Sequence, residues 1–199
     1  MSSFNTNEIM PGLRFLENEA KKHAIDLKLT VKQSYSLSYS GSVDYEEYVS
    51  TDILQQAAQQ LGYPTDDKMI ESLKSTYGTE VICITAFDQH GTGYAINPPR
   101  GSGYDIVEHI IMFTRDTVTN EVMPSGSQVS LVASEILYLY GAEDLSSSPT
   151  RELLTYIFYP NDVMLYPAYY ITQNNISDIT AFYVGWTDKT PNIMDDPNW

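Results

Sequence analysis

The chain has 199 residues, 42% of them hydrophobic and 19% charged, with 11 glycines and 10 prolines. That is enough for one domain with a buried core, and it excludes a disordered, collagen-like or low-complexity polypeptide. With 11 Lys and Arg against 26 Asp and Glu, the formal net charge is −15, which repels a phosphate backbone and favours a basic protein partner or a cation over nucleic acid.

The elements follow in chain order. Residues 7–24 predict an amphipathic helix, with Leu13, Leu16 and Ala20 at helical spacing and Pro11 in the first turn. From 26 to 39 the period falls to two: Leu27, Leu29 and Val31, then Tyr35, Leu37 and Tyr39. This reads as one long strand or two broken near Gln33. A polar, acidic turn is expected over 41–48. Two helices follow, 52–61 capped by Thr51 and closed by Gly62, and 66–77 capped by Thr65 and closed by Gly78. A buried strand over 80–87, a turn at Gln89-His90-Gly91 and a short strand over 94–96 come next. Pro98, Pro99, Gly101 and Gly103 mark a loop before a strand over 106–114. A broad apolar face (Val129, Val132, Ala133, Ile136, Leu137, Tyr140) predicts a helix over 125–140, with Gly141 as its stop. Short helices are expected over 152–158 and 175–185, the latter with Ser177 as a cap, and an irregular tail from Thr187. Helices and strands alternate without a strict βαβ rhythm, so the expected class is α+β in one domain.

The first residues lack a basic start followed by an apolar run, and no stretch is long and apolar enough to span a bilayer, so neither a signal peptide nor a membrane segment is expected. Cys83, the single cysteine, allows no internal disulfide and no multi-cysteine zinc site, and its apolar surroundings suit a buried small hydrophobe rather than a nucleophile. The expected compartment is the cytoplasm. His23, His90 and His109 show no ligand spacing. Gly91-Thr92-Gly93 and Gly101-Ser102-Gly103 are too short for a phosphate loop, and Ser134 lies in no Gly-x-Ser-x-Gly elbow. The 16 tyrosines include two clusters, Tyr35, Tyr39, Tyr45, Tyr48 and Tyr159, Tyr166, Tyr169, Tyr170. They fit core packing, or a binding surface where acids flank them.

One segment carries chemistry. Ala133-Ser134-Glu135-Ile136-Leu137-Tyr138-Leu139-Tyr140-Gly141-Ala142-Glu143-Asp144-Leu145 resembles the active-site helix of zincin-type zinc metallopeptidases, in the variant HExxHxxGxxD. In that family two His four apart on a helix face one metal, the Glu activates the zinc-bound water, and the Gly turns the chain so that the Asp returns as third ligand. On this chain Glu135 holds the general-base position, Gly141 the turn and Asp144 the third-ligand position, while Ser134 and Tyr138 stand where both His belong. Tyr159-Pro160-Asn161-Asp162-Val163-Met164 resembles the segment that carries the Met-turn in metzincins, which assigns Met164 to the floor of the site. The resemblance covers residues 125–186. It implies a single zincin-like domain over 1–199, with a mixed sheet packed on an active-site-type helix.

The two substitutions set the functional expectation. Ser134 has a short neutral hydroxyl, and Tyr138 a bulky phenol that is neutral near pH 7. One carboxylate with neutral neighbours binds zinc weakly, and without zinc Glu135 has no water to activate. Zinc, the family's cofactor, is therefore not expected here. The chain reads as a catalytically inactive metallopeptidase-like protein acting through a protein partner, with no nucleic acid and no membrane. Two alternatives stay open: a residual metal-dependent peptidase or hydrolase with an atypical site around Glu135, Tyr138 and Asp144, and an acidic immunity- or antitoxin-type interaction protein with no peptidase ancestry. Without the resemblance, Glu135 is a capped or solvated helix residue and Asp144 a turn residue.

Overall fold

The computed structural model describes residues 3–41, 43, 49–96, 107–167, 171–195 and 199. The chain enters through a π turn, Asn5–Ile9, that runs into helix α1, Met10–Lys22. Pro11 has no N–H to give, and the turn before it takes the wider π hydrogen bonding. Leu13, Leu16 and Ala20 are buried, as their spacing requires. Helix α2 is Val49–Gln60 and α3 is Asp66–Tyr77. Thr51 therefore lies inside α2 rather than ahead of it. Thr65 does cap α3, its hydroxyl accepting the Lys68 N–H at 3.3 Å, and Gly78 closes it at φ +64°.

Strands β1 (Cys83–His90), β2 (Tyr94–Ile96) and β3 (His109–Arg115) form a mixed sheet in the order β1-β3-β2, with β3 parallel to β1 and antiparallel to β2. The described residues thus form a mixed α/β structure of six α-helices and a three-stranded sheet. β3 is buried from His109 through Phe113 because helices cover both of its faces. Ile110 and Met112 pack with α1 and α4, and Ile111 and Phe113 with Ile53 of α2. Each such side chain, fully buried, is worth about 1.5–3 kcal/mol.

Three sequence expectations fail around this sheet. β1 begins at Cys83 rather than at 80, and it runs through Gln89 and His90, which were expected to turn. Pairing shifts from Phe87↔Phe113 to His90↔Arg115, a bulge that aims Asp88 at Arg115, whose Nε and Nη2 donate to its two oxygens at 2.8 and 3.3 Å. Residues 26–39 join no strand. Helix side chains supply their backbone partners instead. Glu17 accepts the Leu29 N–H at 2.8 Å, while Gln60 and Gln56 each exchange two hydrogen bonds with the backbones of Ser38 and Ser40.

Helix α4 is Val129–Leu139, shorter than the 125–140 of the pattern, and most of its residues are buried. Its entry is held by Glu8, whose carboxylate accepts the Gly126 N–H at 2.5 Å and the Gln128 N–H at 2.8 Å. Helix α5, Pro149–Phe158, starts three residues before the expected 152, because Ser148 caps it and Pro149 occupies its first position. Helix α6, Asp178–Tyr183, is shorter than 175–185. Ser177 stands at its N-cap, but the hydroxyl donates to Asp162 instead of accepting from the helix. The tail forms a 3-10 turn at Asn192–Asp195. The loop of Pro98, Pro99, Gly101 and Gly103, the start of the third strand at Ile106, most of the acidic turn over 41–48, and Tyr45, Tyr48, Tyr169 and Tyr170 fall outside the described residues.

Candidate functional site

Ser134, Glu135 and Tyr138 share α4, and residues four apart on a helix are neighbours on one face. Ser134 is 2% exposed, and its hydroxyl donates back to the Leu131 carbonyl at 2.9 Å. That bond turns the oxygen onto its own helix. Glu135 is 6% exposed and accepts the N–H of Ala95 on β2, so it ties the helix to an edge strand. Burial, and then the nearby Asp144 carboxylate, push its carboxyl up to about 8 against the Ala95 bond. At neutral pH it holds its proton. Tyr138 is half-buried, and its phenol is pushed above the ordinary tyrosine range by burial and by the charges of Asp144 and Glu135. It is a neutral phenol throughout the physiological range.

Gly141 has φ +95°. Its N–H donates to the Tyr138 carbonyl at 3.0 Å, and that of Ala142 to the Leu137 carbonyl at 3.0 Å, so the last carbonyls of α4 are satisfied in a Schellman motif. A Cβ at Gly141 would come no closer than 3.6 Å to the Tyr183 carbonyl, so the backbone angle rather than space calls for glycine. The turn delivers Asp144, whose Oδ1 accepts the Ser146 N–H at 2.7 Å and hydroxyl at 2.6 Å. Next to it the Leu145 N–H donates to the Met164 carbonyl at 3.2 Å. Met164 is buried in the same core cluster as Ala142 and Leu145. Glu135, Tyr138, Asp144 and Met164 thus gather around the C-terminal end of α4, and Ser134 sits on the same helix with its hydroxyl turned inward.

The sequence reading gave no role to two supporting residues. Asp162 is fully buried and accepts from the Met164 N–H at 2.7 Å, the Ser177 N–H at 2.8 Å, the Ser177 hydroxyl and the Thr180 hydroxyl at 2.9 Å. Burial pushes its carboxyl up against these bonds. The residue locks the Met164 segment to the start of α6. Arg151 pairs with Glu143 at 2.7 Å, donates to the Tyr183 hydroxyl at 2.7 Å and lies 4.7 Å from the Trp199 ring centroid, which pins the segment after Gly141 to α6 and the chain end. A carboxylate two residues before Met164 was visible in the sequence, but its partners Ser177 and Thr180 lie 15 and 18 positions further on and leave no local signal.

Elsewhere, His109 is buried with Nδ1 2.7 Å from the Val107 carbonyl, His23 ends α1 beside Trp186, and the Cys83 thiol is pushed up to about 11 by burial, which makes it unreactive. Tyr39 is half-buried, and Tyr35 and Tyr166 are exposed.

The donor set does not fit a three-ligand zinc site. Nitrogen is missing from both ligand positions on α4, the Ser134 hydroxyl is engaged by Leu131, and the Asp144 oxygen accepts two hydrogen bonds from Ser146. Among the described residues no three His, Cys, Asp or Glu side chains gather as a metal-holding group, and no helix is long and apolar enough to cross a membrane. No protein-family model, curated protein or solved structure matches the chain.

Proposed function

We propose that this chain is a catalytically inactive, metallopeptidase-like protein of zincin type, one domain over residues 1–199, that works in the cytoplasm by binding another protein. The chemistry at the C-terminal end of α4 carries the reading. Glu135, at the position of a general base, is protonated near neutral pH and spent on the Ala95 N–H. Ser134 and Tyr138 offer a bonded hydroxyl and a neutral phenol where imidazoles would be needed. The group that would polarise a peptide carbonyl and activate water has no ligand set to hold it.

Protein binding is supported by α5. Leu153, Tyr156, Ile157 and Phe158 are each about 60% exposed, and Tyr166 adds to them with its hydroxyl on Glu152. A contiguous apolar surface of this kind marks a protein contact more often than an idle face. The net charge of −15 selects a basic partner.

Purified protein analysed for metal, and assayed on unstructured peptides with and without a chelator, tests the first half. The reading expects no stoichiometric zinc and no chelator-sensitive hydrolysis. Zinc bound one to one through Asp144, together with such hydrolysis, would overturn it in favour of a residual hydrolase. For the second half, Leu153→Glu with Ile157→Glu should abolish recovery of a basic partner by cross-linking while leaving the melting temperature unchanged. An unaltered partner set would remove α5 from the contact.

A further inference from the structure

We infer that residues 32–38 are a strap that closes on the free edge of β1 and adds a fourth, parallel strand to the sheet. Among the described residues β1 is an edge strand, and an eight-residue edge with unpaired backbone groups is normally covered or blunted. A cavity of about 700 Å³ lies between it and residues 28–39. Residues 81–89 line one wall and residues 28–39, apart from Ser36, the other.

The segment is already held at both ends. Ile25, Leu27, Leu29 and Val31 are half-buried and alternate with exposed residues. At the far end Tyr39 is half-buried, its ring edge-on to Phe87 of β1 at 5.5 Å between centroids. Between these anchors every residue from Lys32 to Ser38 is exposed. Tyr35 is 53% and Leu37 42% exposed, and the Tyr35 hydroxyl donates only two residues back, to Gln33. The strand pattern of the sequence is thus fulfilled at both ends and lifted off in the middle.

α2 prepares the other side. Gln56 and Gln60, one helical turn apart, grip the N–H and C=O of Ser40 and Ser38. Four helical residues rise about 6 Å and two extended residues about 6.7 Å, so the two amides act as rungs of a ladder. In an extended chain the backbone groups of alternate residues point to opposite sides. With Ser38 and Ser40 facing the glutamines, those of Leu37 and Tyr39 face away from them, toward β1.

Direction and register follow. Leu29 and Val31 pack against the same central core as Ile82 and Ile84 at the start of β1, and Tyr39 meets Phe87 further along it, so the strap runs the same way as β1. The connection between them passes through α2 and α3, the crossover that parallel neighbours require. With Tyr39 beside Phe87, Leu37 falls beside Thr85 and Tyr35 beside Cys83. Cys83 and Phe87 both face α2 and α3, so all three pairs lie on one face of the sheet. Leu29 and Val31 lie on the opposite face, which puts the crossing near Gln33, where the sequence pattern also breaks.

Leu37→Cys with Thr85→Cys, in a Cys83→Ser background, tests this, since closed neighbours lie within disulfide reach. Mild oxidation should give an intramolecular disulfide, seen as loss of both thiols in intact-mass analysis, whereas Ser36→Cys with Thr85→Cys, facing the opposite side, should stay reduced. In the unaltered protein the amides of Leu37 and Tyr39 should exchange with deuterium about tenfold or more slower than those of an unstructured peptide. Equal cross-linking of the two variants, or exchange at peptide rates across 32–38, would overturn the strap.

Discussion

Replacing Glu135 by Gln isolates the energetic consequence of a buried carboxyl with no cation beside it. In the folded chain the group titrates near 8, against an ordinary value of 4.5. Between those two pH values the native state holds a proton that the unfolded state has released. Stability therefore falls as pH rises through this window, and levels off above about pH 8. Three and a half units correspond to a ceiling of about 5 kcal/mol for the side chain's contribution to the pH dependence. Gln keeps the volume and the oxygen that accepts the Ala95 N–H but cannot ionise. The assay is urea unfolding of both proteins at steps from pH 5 to pH 9. Glu8 and Asp162, whose carboxyls are also raised by burial, titrate in both proteins and cancel in the difference. Glu135→Gln should match the wild type near pH 5 and become progressively more stable above it, gaining several kcal/mol by pH 8. Asp144→Asn, which removes the nearest negative charge, should shift the wild-type transition to lower pH. A difference that stays flat with pH, or a Gln variant less stable at pH 8, would show that water or a cation reaches the carboxyl and that the buried site is not closed.

Further outcomes can be measured on the same protein. Ser134→His with Tyr138→His places two imidazoles on one face of α4 above the Gly141 turn. Zinc at a hundredfold excess over its dissociation constant should then stabilise the fold by about 2.7 kcal/mol, and adding Asp144→Ala should remove most of that gain in a melting assay. Glu8→Ala strips one buried and one part-buried amide at the start of α4 of their acceptor and should cost about 2–4 kcal/mol in urea unfolding, with Glu8→Gln recovering part. Gly141→Ala forces a side chain into φ +95° and should lower stability by about 1–2 kcal/mol although nothing crowds the site.

Local signals in this sequence were reliable wherever the interaction was local. The Thr65 cap, the Gly78 stop, the apolar stripe of α1 and the Gly141 turn depend on residues within one or two helical turns, and each stands in the structure where the pattern placed it. The pattern also found the three strands of the sheet and the buried face of α4. Other elements were set by partners remote in the chain. The alternation over 26–39 describes an extended backbone, but pairing needs a neighbour, and glutamines of α2 took up the Ser38 and Ser40 groups. Ser177 has the side chain of a cap, yet Asp162, 15 positions earlier, claims its hydroxyl. α4 starts with its hydrophobic face at Val129 rather than at 125, and Glu8 satisfies the amides of Gly126 and Gln128 from more than a hundred positions away.

The candidate site divides along the same line. Which side chains occupy the α4 positions, the Gly turn and the Asp after it could be read directly, because one helix and one turn hold them all. What those side chains do could not. Only the packed structure sets Ala95 against Glu135, buries the carboxyl until it keeps its proton, turns Ser134 onto the Leu131 carbonyl and joins Leu145 to the backbone of Met164. Protonation and hydrogen-bond choice depend on what excludes water, and in this chain the excluding groups come from β2, α4 and the turn below Met164 together.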